Sequence, residues 1–252
     1  MGRQLSLAAQ RPGDTPPVTE RVLLSWSGGK DSALALCELQ EGGGYEIAAL
    51  LTTVTANYDR VSMHGVRRVL LEQQADSLGL PLEEVFIAAD TSDEEYGAKM
   101  REVLERYARG GVSAVAFGDI FLEDVRKYRE ERLAQVGMRA LFPLWGRDTA
   151  ELAHTFIDVG FQAVITCVDT QVLGRPFAGR DFDGQFLADL PSSIDPCGEN
   201  GAFHSFVYNG PIFRERVLYA KGEVVLRENR FYYCDLVPVQ AGQDPRGSRS
   251  AS

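Results

Sequence analysis

The stretch Ser25-Trp26-Ser27-Gly28-Gly29-Lys30-Asp31-Ser32 joins an apolar run, Val22-Leu23-Leu24, to a segment with helical patterning, Asp31 to Gln40. A glycine-containing, hydroxyl-rich turn between a strand and a helix aims backbone N–H groups and the positive end of the helix dipole at one spot. Successive N–H groups in a tight turn form a concave anion nest. Gly28 and Gly29 let backbone approach a ligand with no Cβ in the way. Ser27 and Ser32 add hydroxyls, and Lys30 adds a cation. The guest that fits is a phosphate chain. A Walker A loop is excluded, because it needs a longer spacer between its first glycine and its Gly-Lys-Ser/Thr end. The dinucleotide G-x-G-x-x-G pattern is also absent.

Working outward, the first half alternates strand and helix. Val22–Ser25, Ile47–Thr55, Glu84–Ala88, Val112–Phe117 and Arg139–Leu144 read as strands. Asp31–Gln40, Val66–Leu78, Asp93–Ala108 and Leu122–Val136 read as helices, the third capped by Thr91 or Ser92. This pattern predicts an α/β domain, a parallel five-stranded sheet flanked by helices, over residues 21–146. Ligands of such sheets bind at the carboxyl ends of the strands. The positions to inspect are therefore Ser27–Ser32, Thr52–Gly65, Asp90–Ser92 and Gly118–Asp119.

After Trp145 the pattern changes to a smaller α+β region, residues 147–238. It holds one helix (Thr149–Val159), one strand (Ala163–Val168), a loop-rich stretch from Asp169 to Asn209, and an antiparallel end. There Lys221-Gly222 reads as the two-residue turn of a hairpin, with Phe231–Val237 as a third strand. Residues 1–20 and 239–252 are polar and read as a disordered arm and tail.

Composition narrows the function classes. The 252 residues are 44% hydrophobic and suffice for a sizeable core. A net charge of -10 argues against a nucleic-acid backbone as the main partner. Cys37, Cys167, Cys197 and Cys234 are scattered with no C-x-x-C pair, which favours reduced thiols over a disulfide framework or a metal site. With no transmembrane-length apolar run and no signal-peptide core, the expectation is a cytoplasmic protein without membrane partners.

Other constellations are open to two readings each. His64 lies in the loop after the second strand, either beside a bound phosphate or as a solvated loop residue. Gly118-Asp119 reads as a ligand-binding turn or as a turn with a helix cap. Arg126 and Glu130 share a helix face at i,i+4, the spacing of an ordinary surface ion pair. The stretch Pro196-Cys197-Gly198-Glu199-Asn200-Gly201-Ala202-Phe203-His204-Ser205 packs polar groups into a loop before an apolar strand. Cys197 lacks the surroundings of a reactive thiol.

The first stretch resembles the PP-loop, S-G-G-x-D-S, of the ATP pyrophosphatases. Met63-His64-Gly65, Phe117-Gly118-Asp119-Ile120, Arg126 with Glu130, Pro143-Leu144-Trp145 and Cys197-Gly198-Glu199-Asn200-Gly201 extend the likeness. Together they resemble the diphthine–ammonia ligase family in a bacterial-type form. That resemblance implies a Rossmann-like (HUP) ATP-binding domain, a family-specific C-terminal domain and a cleft between them. It implies ATP-dependent amide formation: ATP, brought with Mg²⁺, adenylates a carboxylate acceptor, and ammonia then displaces AMP. The nucleotide would be held by Ser25, Ser27, Gly28, Gly29, Lys30, Asp31, Ser32, Thr53, His64, Gly118 and Asp119. Lys30, Asp31, Arg126 and Glu130 would serve catalysis, and Glu199, Asn200, Gly201 and His204 the acceptor. No metal ligand set is expected, and homodimerisation is left open. The family's ligases tend to read E-G-G-E-F/Y-E-T/S in the last loop. This chain has Ala202 and His204 where those carry carboxylates. A tRNA-modifying enzyme with the same loop and a non-catalytic ATP-binding module are the competing readings.

Overall fold

A computed structural model describes residues 19–61 and 65–239. His64 and nearly all of the expected arm and tail lie outside the described residues. The chain runs β1 (Glu20–Ser25), α1 (Lys30–Gly42), β2 (Tyr45–Thr55), β3 (Arg60–Val61), α2 (Arg68–Leu78), β4 (Leu82–Ile87), α3 (Asp93–Arg109), β5 (Ala114–Ala116), α4 (Glu123–Ala134) and β6 (Arg139–Leu141). Five of these strands form a parallel sheet in the order β4-β2-β1-β5-β6. The short β3 adds an antiparallel pairing to the end of β2 that periodicity did not signal. Two residues are too few to carry an alternation.

The chain leaves β1 toward β2 and β4 on one side and returns to β5 and β6 on the other. The crevice of such a sheet lies outside the carboxyl ends of the strands where this order reverses, between β1 and β5. Strand alternation divides the core into two faces. Leu24 and Leu50 point into a cluster with α1 and α2; Leu23, Ala49 and Leu51 point into a second cluster with Leu104 of α3 and Leu133 of α4. Ser92 is the cap of α3: its side chain accepts from Glu95 N–H, and Glu95 reaches back to the Ser92 N–H.

The rest comprises α5 (Thr149–Asp158), β7 (Gln162–Asp169), a short α6 (Gly184–Asp189), β8 (Phe203–Asn209), β9 (Tyr219–Arg227) and β10 (Phe231–Pro238). The four strands form an antiparallel sheet in the order β8-β7-β10-β9. Two expectations change here. The stretch expected as loop-rich contains α6 and β8, so Phe203, His204 and Ser205 belong to a strand. The hairpin turn is not at Lys221-Gly222. It is at Glu228-Asn229, both with positive φ, and Arg230 N–H donates to Arg227 O at 3.0 Å. Gly222 instead lies in a bulge: between the pairs Cys234↔Val224 and Leu236↔Lys221, two β9 residues face one of β10. A Cβ on Gly222 would stand 3.2 Å from Asp235 O.

The two sheets share one apolar cluster. Leu34, Leu36 and Leu70 belong to the same buried set as Phe156, Phe186, Phe203 and Phe206. The interface is packed at this level; a pocket of about 480 Å³ lies at its edge, between Gln73, Asp76 and Ser77 of α2 and Arg214 and Leu218 of the second region, and another cleft opens on the α3/α4 face.

Candidate active site

The Ser27–Ser32 turn sits at the carboxyl end of β1, beside the β1/β5 crevice. Gly28 has φ +76°, and a Cβ there would stand 2.8 Å from Gln74 Oε1. Conformation and space both require glycine at this position. Gly29 N–H donates to Ser27 Oγ at 3.2 Å, and Ser32 Oγ donates to Gly29 O at 2.9 Å. Ser27 and Ser32 face each other at 3.3 Å between their Oγ atoms. The cap residue Gly29 has no side chain, so the start of α1 is capped from outside: Lys30 N–H donates to Ser205 Oγ of β8 at 3.1 Å.

Gln74 of α2, fully buried, pins the turn from below. Its amide donates to Gly28 O at 3.0 Å and Val207 O at 2.6 Å, and accepts from Trp26 Nε1–H at 2.9 Å. Val207 N–H also donates to Gly28 O, at 2.9 Å.

Lys30 points into the interior. Its side chain is 3% exposed, and Nζ donates to both Asp31 carboxylate oxygens, at 2.9 and 2.8 Å, and to the Cys197 carbonyl. Nζ also lies 5.5 Å from the Phe203 ring centroid and 5.9 Å from that of Phe182. Burial opposes the ammonium's charge, but Asp31, with Cys197 and Glu199 nearby, outweighs it and holds the pKa above the ordinary lysine value. Burial raises the Asp31 carboxyl against the pull of Lys30.

Gly118 serves close packing. A Cβ there would stand 2.7 Å from the Asp31 carbonyl carbon and 2.9 Å from Ser32 N, so the β5 loop lies directly on the first turn of α1. Asp119 does not cap α4, whose N-cap is Leu122; it pairs with Arg129 at 2.8 Å. Glu199 bridges the two halves: its Oε1 accepts from Ile120 N–H at 2.7 Å, while its own N–H donates to Asp195 at 2.8 Å. Burial raises the Glu199 carboxyl, and the Ile120 N–H opposes that. Burial, reinforced by Lys30, pushes His204 down to about 4, so its ring is neutral near pH 7. Asn200 and Gly201 form the turn before β8; Gly201 has φ +81° and donates its N–H to Gly198 O at 2.8 Å. Cys197 is buried, its thiol pushed up to about 12 by burial and donating to Thr149 O at 3.3 Å, surroundings that disfavour the thiolate.

Arg126 and Glu130 pair at 2.8 Å on the exposed side of α4. The guanidinium lies 4.6 Å from the Trp145 ring centroid and 5.2 Å from that of Phe142, which ties it to Pro143-Leu144-Trp145. Among the described residues, no hydrogen bond or ion pair joins this pair to the Ser27–Ser32 turn.

A cleft of about 430 Å³ opens on the α3/α4 face of the parallel sheet. Ser25, Trp26, Ser27, Thr52, Thr53 and Phe117 line its inner end, and Met100, Leu104, Leu133 and Val136 its apolar walls. Arg101, Arg129 and Arg132 border it. Thr52 Oγ1 is buried with no hydrogen-bond partner among the described residues. A volume of this size with a few polar groups suits a small molecule.

The structure thus brings Ser25, Ser27 to Ser32, Gly118, Asp119, Glu199 and His204 around one turn, with Thr53 along the cleft. It leaves Arg126 and Glu130 on a neighbouring helix face. Sequence reading missed Gln74, Arg129 and Asp195, and named Ser205 only as the end of the Pro196–Ser205 stretch. Gln74 carried one faint signal, an amide among the apolar positions of α2; the others had none.

The turn at the sheet's reversal point, the adjoining cleft and the bridging Glu199 define a candidate site at the carboxyl end of a parallel α/β sheet, closed by a second sheet. The Diphthamide synthase N-terminal domain family matches residues 20–140, and the Diphthamide synthase C-terminal domain family matches residues 148–236. The chain belongs to the diphthamide synthase family. It is 25% identical over 237 residues to the diphthine–ammonia ligase of Danio rerio, covering 83% of this chain and 90% of the relative. Its identity to the Homo sapiens diphthine–ammonia ligase is 25% over 229 residues, 82% and 85% of the two chains. The Schizosaccharomyces pombe diphthine–ammonia ligase is also 25% identical, over 227 residues, which cover 81% of this chain and 37% of that longer one.

Proposed function

We propose that the protein is an ATP-dependent, amide-forming ligase. An acceptor carboxylate oxygen attacks the α-phosphorus of ATP, pyrophosphate leaves, and an acyl-adenylate forms. Ammonia attacks the acyl carbon, loses a proton, and AMP departs. The observation that carries this reading is the Ser27–Ser32 turn at the β1/β5 reversal, with a cleft roomy enough for adenosine running from Ser25–Ser27 past Thr52 and Thr53.

In this reading the Ser27 and Ser32 hydroxyls and the α1 N-terminus receive the phosphates and stabilise the departing pyrophosphate. Magnesium enters as part of the MgATP substrate. The described residues hold no cluster of three or more potential metal ligands, and Asp31 is the turn's own carboxylate. Gly118 and Asp119 fix the cleft wall. Glu199, Asn200, Gly201 and His204, with Arg126 and Glu130 at the rim, form the acceptor side. Glu199's bond to Ile120 N–H keeps that side in register with the nucleotide side. The chemistry is mostly positioning of reactants in a partly desolvated site. The relatives' name suggests diphthine as one acceptor, and Ala202 and His204 in the acceptor loop favour a different carboxylate.

The test is nucleotide analysis after incubation with MgATP, ammonium and a panel of carboxylates that includes diphthine. AMP and pyrophosphate in equal amounts are expected with at least one acceptor. ADP and phosphate as the products would overturn the mechanism. AMP release that requires tRNA in place of a carboxylate and ammonia would favour a nucleic-acid-modifying enzyme.

A further inference from the structure

The proposed site contains a buried cation whose surroundings do not suit the role its position in the motif suggests. Lys30 is 3% exposed, its ammonium is saturated by a carboxylate and a carbonyl, and two aromatic faces close over it. Every group it touches except Asp31 belongs to the C-terminal region: the Cys197 carbonyl, Phe182 and Phe203. The same stretch sends Ser205 Oγ to the Lys30 N–H and Glu199 Oε1 to the Ile120 N–H. The Pro196–Ser205 stretch is therefore clamped to the Ser27–Ser32 turn through the main chain and the side chain of one residue.

We propose that Lys30 is a positioning residue: its ammonium ties the Cys197 end of the acceptor loop to the Ser27–Ser32 turn and makes no direct contact with the phosphates of ATP. This rests on the ligase reading and refines it. To reach a phosphate, the side chain would have to abandon its carboxylate, its carbonyl and both rings together. A phosphate would have to replace all of them, leaving Asp31 without its buried partner. The turn keeps its anion-binding character without Lys30, because that comes from backbone N–H groups, hydroxyls and the helix dipole.

The first measurement uses the wild-type full chain: amine-reactive labelling read by mass spectrometry, with and without saturating MgATP. Lys99, Lys127 and Lys221 are expected to label in both conditions and Lys30 in neither. Labelling of Lys30 that MgATP suppresses would overturn the proposal. The second compares Lys30→Met and Lys30→Arg for binding of MgATP and of pyrophosphate, and for AMP release. Lys30→Met is expected to bind both ligands within about threefold of wild type while kcat falls about 100-fold and KM for ATP holds, because the acceptor side loses its register. Lys30→Arg is expected to restore nothing, since the larger fork does not fit the aromatic lid. A loss of pyrophosphate affinity of about 30-fold or more in Lys30→Met, recovered in Lys30→Arg, would show a phosphate ligand and overturn the tether, because a guanidinium also binds phosphate well. Wild-type protein that binds no MgATP would overturn the ligase reading instead, and the labelling would still decide whether Lys30 is sealed.

Discussion

The two faces of the parallel sheet are built from the same strands and do opposite jobs. On the α1/α2 face, Leu24 and Leu50 continue without a break into the core of the antiparallel sheet, through Phe156, Phe203 and Phe206. On the α3/α4 face, Leu23, Ala49 and Leu51 belong to a smaller cluster, and a cleft of about 430 Å³ remains between the helices and the strand ends. The closed face fixes where the Ser27–Ser32 turn sits. The open face leaves room for a molecule beside it. Rigid support on one side and accessible volume on the other is an arrangement that preorganises a site without filling it.

The comparison breaks or sharpens under mutation. The largest effect is expected at the turn: Asp31→Ala should lower AMP release by about 10⁴-fold or more, about 5.5 kcal/mol in the barrier, and should also lower stability, because the buried Lys30 ammonium loses its carboxylate. Full turnover in that variant would detach the turn from the chemistry. Next comes the closed face. Phe206→Ala should cost about 3–5 kcal/mol in denaturant unfolding, whereas Met100→Ala at the cleft wall should cost about 1 kcal/mol, its surroundings being already open. Similar losses at both would erase the distinction between the faces.

His204 supplies a pH test on the closed side. Its ring is neutral when folded, with a pKa near 4, against the ordinary 6.5 when unfolded. The unfolded chain binds the extra proton in that window, so stability falls as pH drops from about 6.5 toward 4. The loss approaches about 3 kcal/mol. His204→Gln should flatten that part of the stability–pH curve; an unchanged slope would mean the ring is solvated. A smaller effect belongs to the open face. Met100→Trp should weaken MgATP binding about tenfold, or about 1.4 kcal/mol, with little change in thermal midpoint. The smallest is Glu130→Gln, expected to change stability by about 0.5 kcal/mol or less, as for an exposed i,i+4 pair.

Local signals reached far in the first half of the chain. The strand–turn–helix at Ser25–Ser32 and the Ser92 cap rest on interactions within a few residues of each other, and the parallel sheet, though paired over tens of residues, follows from the alternation of locally legible strands and helices. In the second half the same reasoning misplaced a turn. Lys221-Gly222 has the composition of a hairpin turn, but the bulge opposite Asp235 and the positive-φ pair Glu228-Asn229 moved the reversal downstream. Which glycine turns and which one bulges is decided by cross-strand register, and no residue near Gly222 encodes that register alone.

The chain's periodicity and its Ser27–Ser32 turn specified a glycine-bordered nest at the end of a parallel strand, because helix dipoles, glycine conformations and hydroxyl donors act over a few ångströms of contiguous backbone. What holds that nest came from far along the chain: Gln74 beneath Gly28, Ser205 on the Lys30 N–H, Glu199 on Ile120, and Phe182 and Phe203 over the Lys30 ammonium. Those partners lie tens to well over a hundred residues away. A buried polar group takes whichever complement packing brings within reach, so the direction of the Lys30 side chain was settled only when the two sheets met.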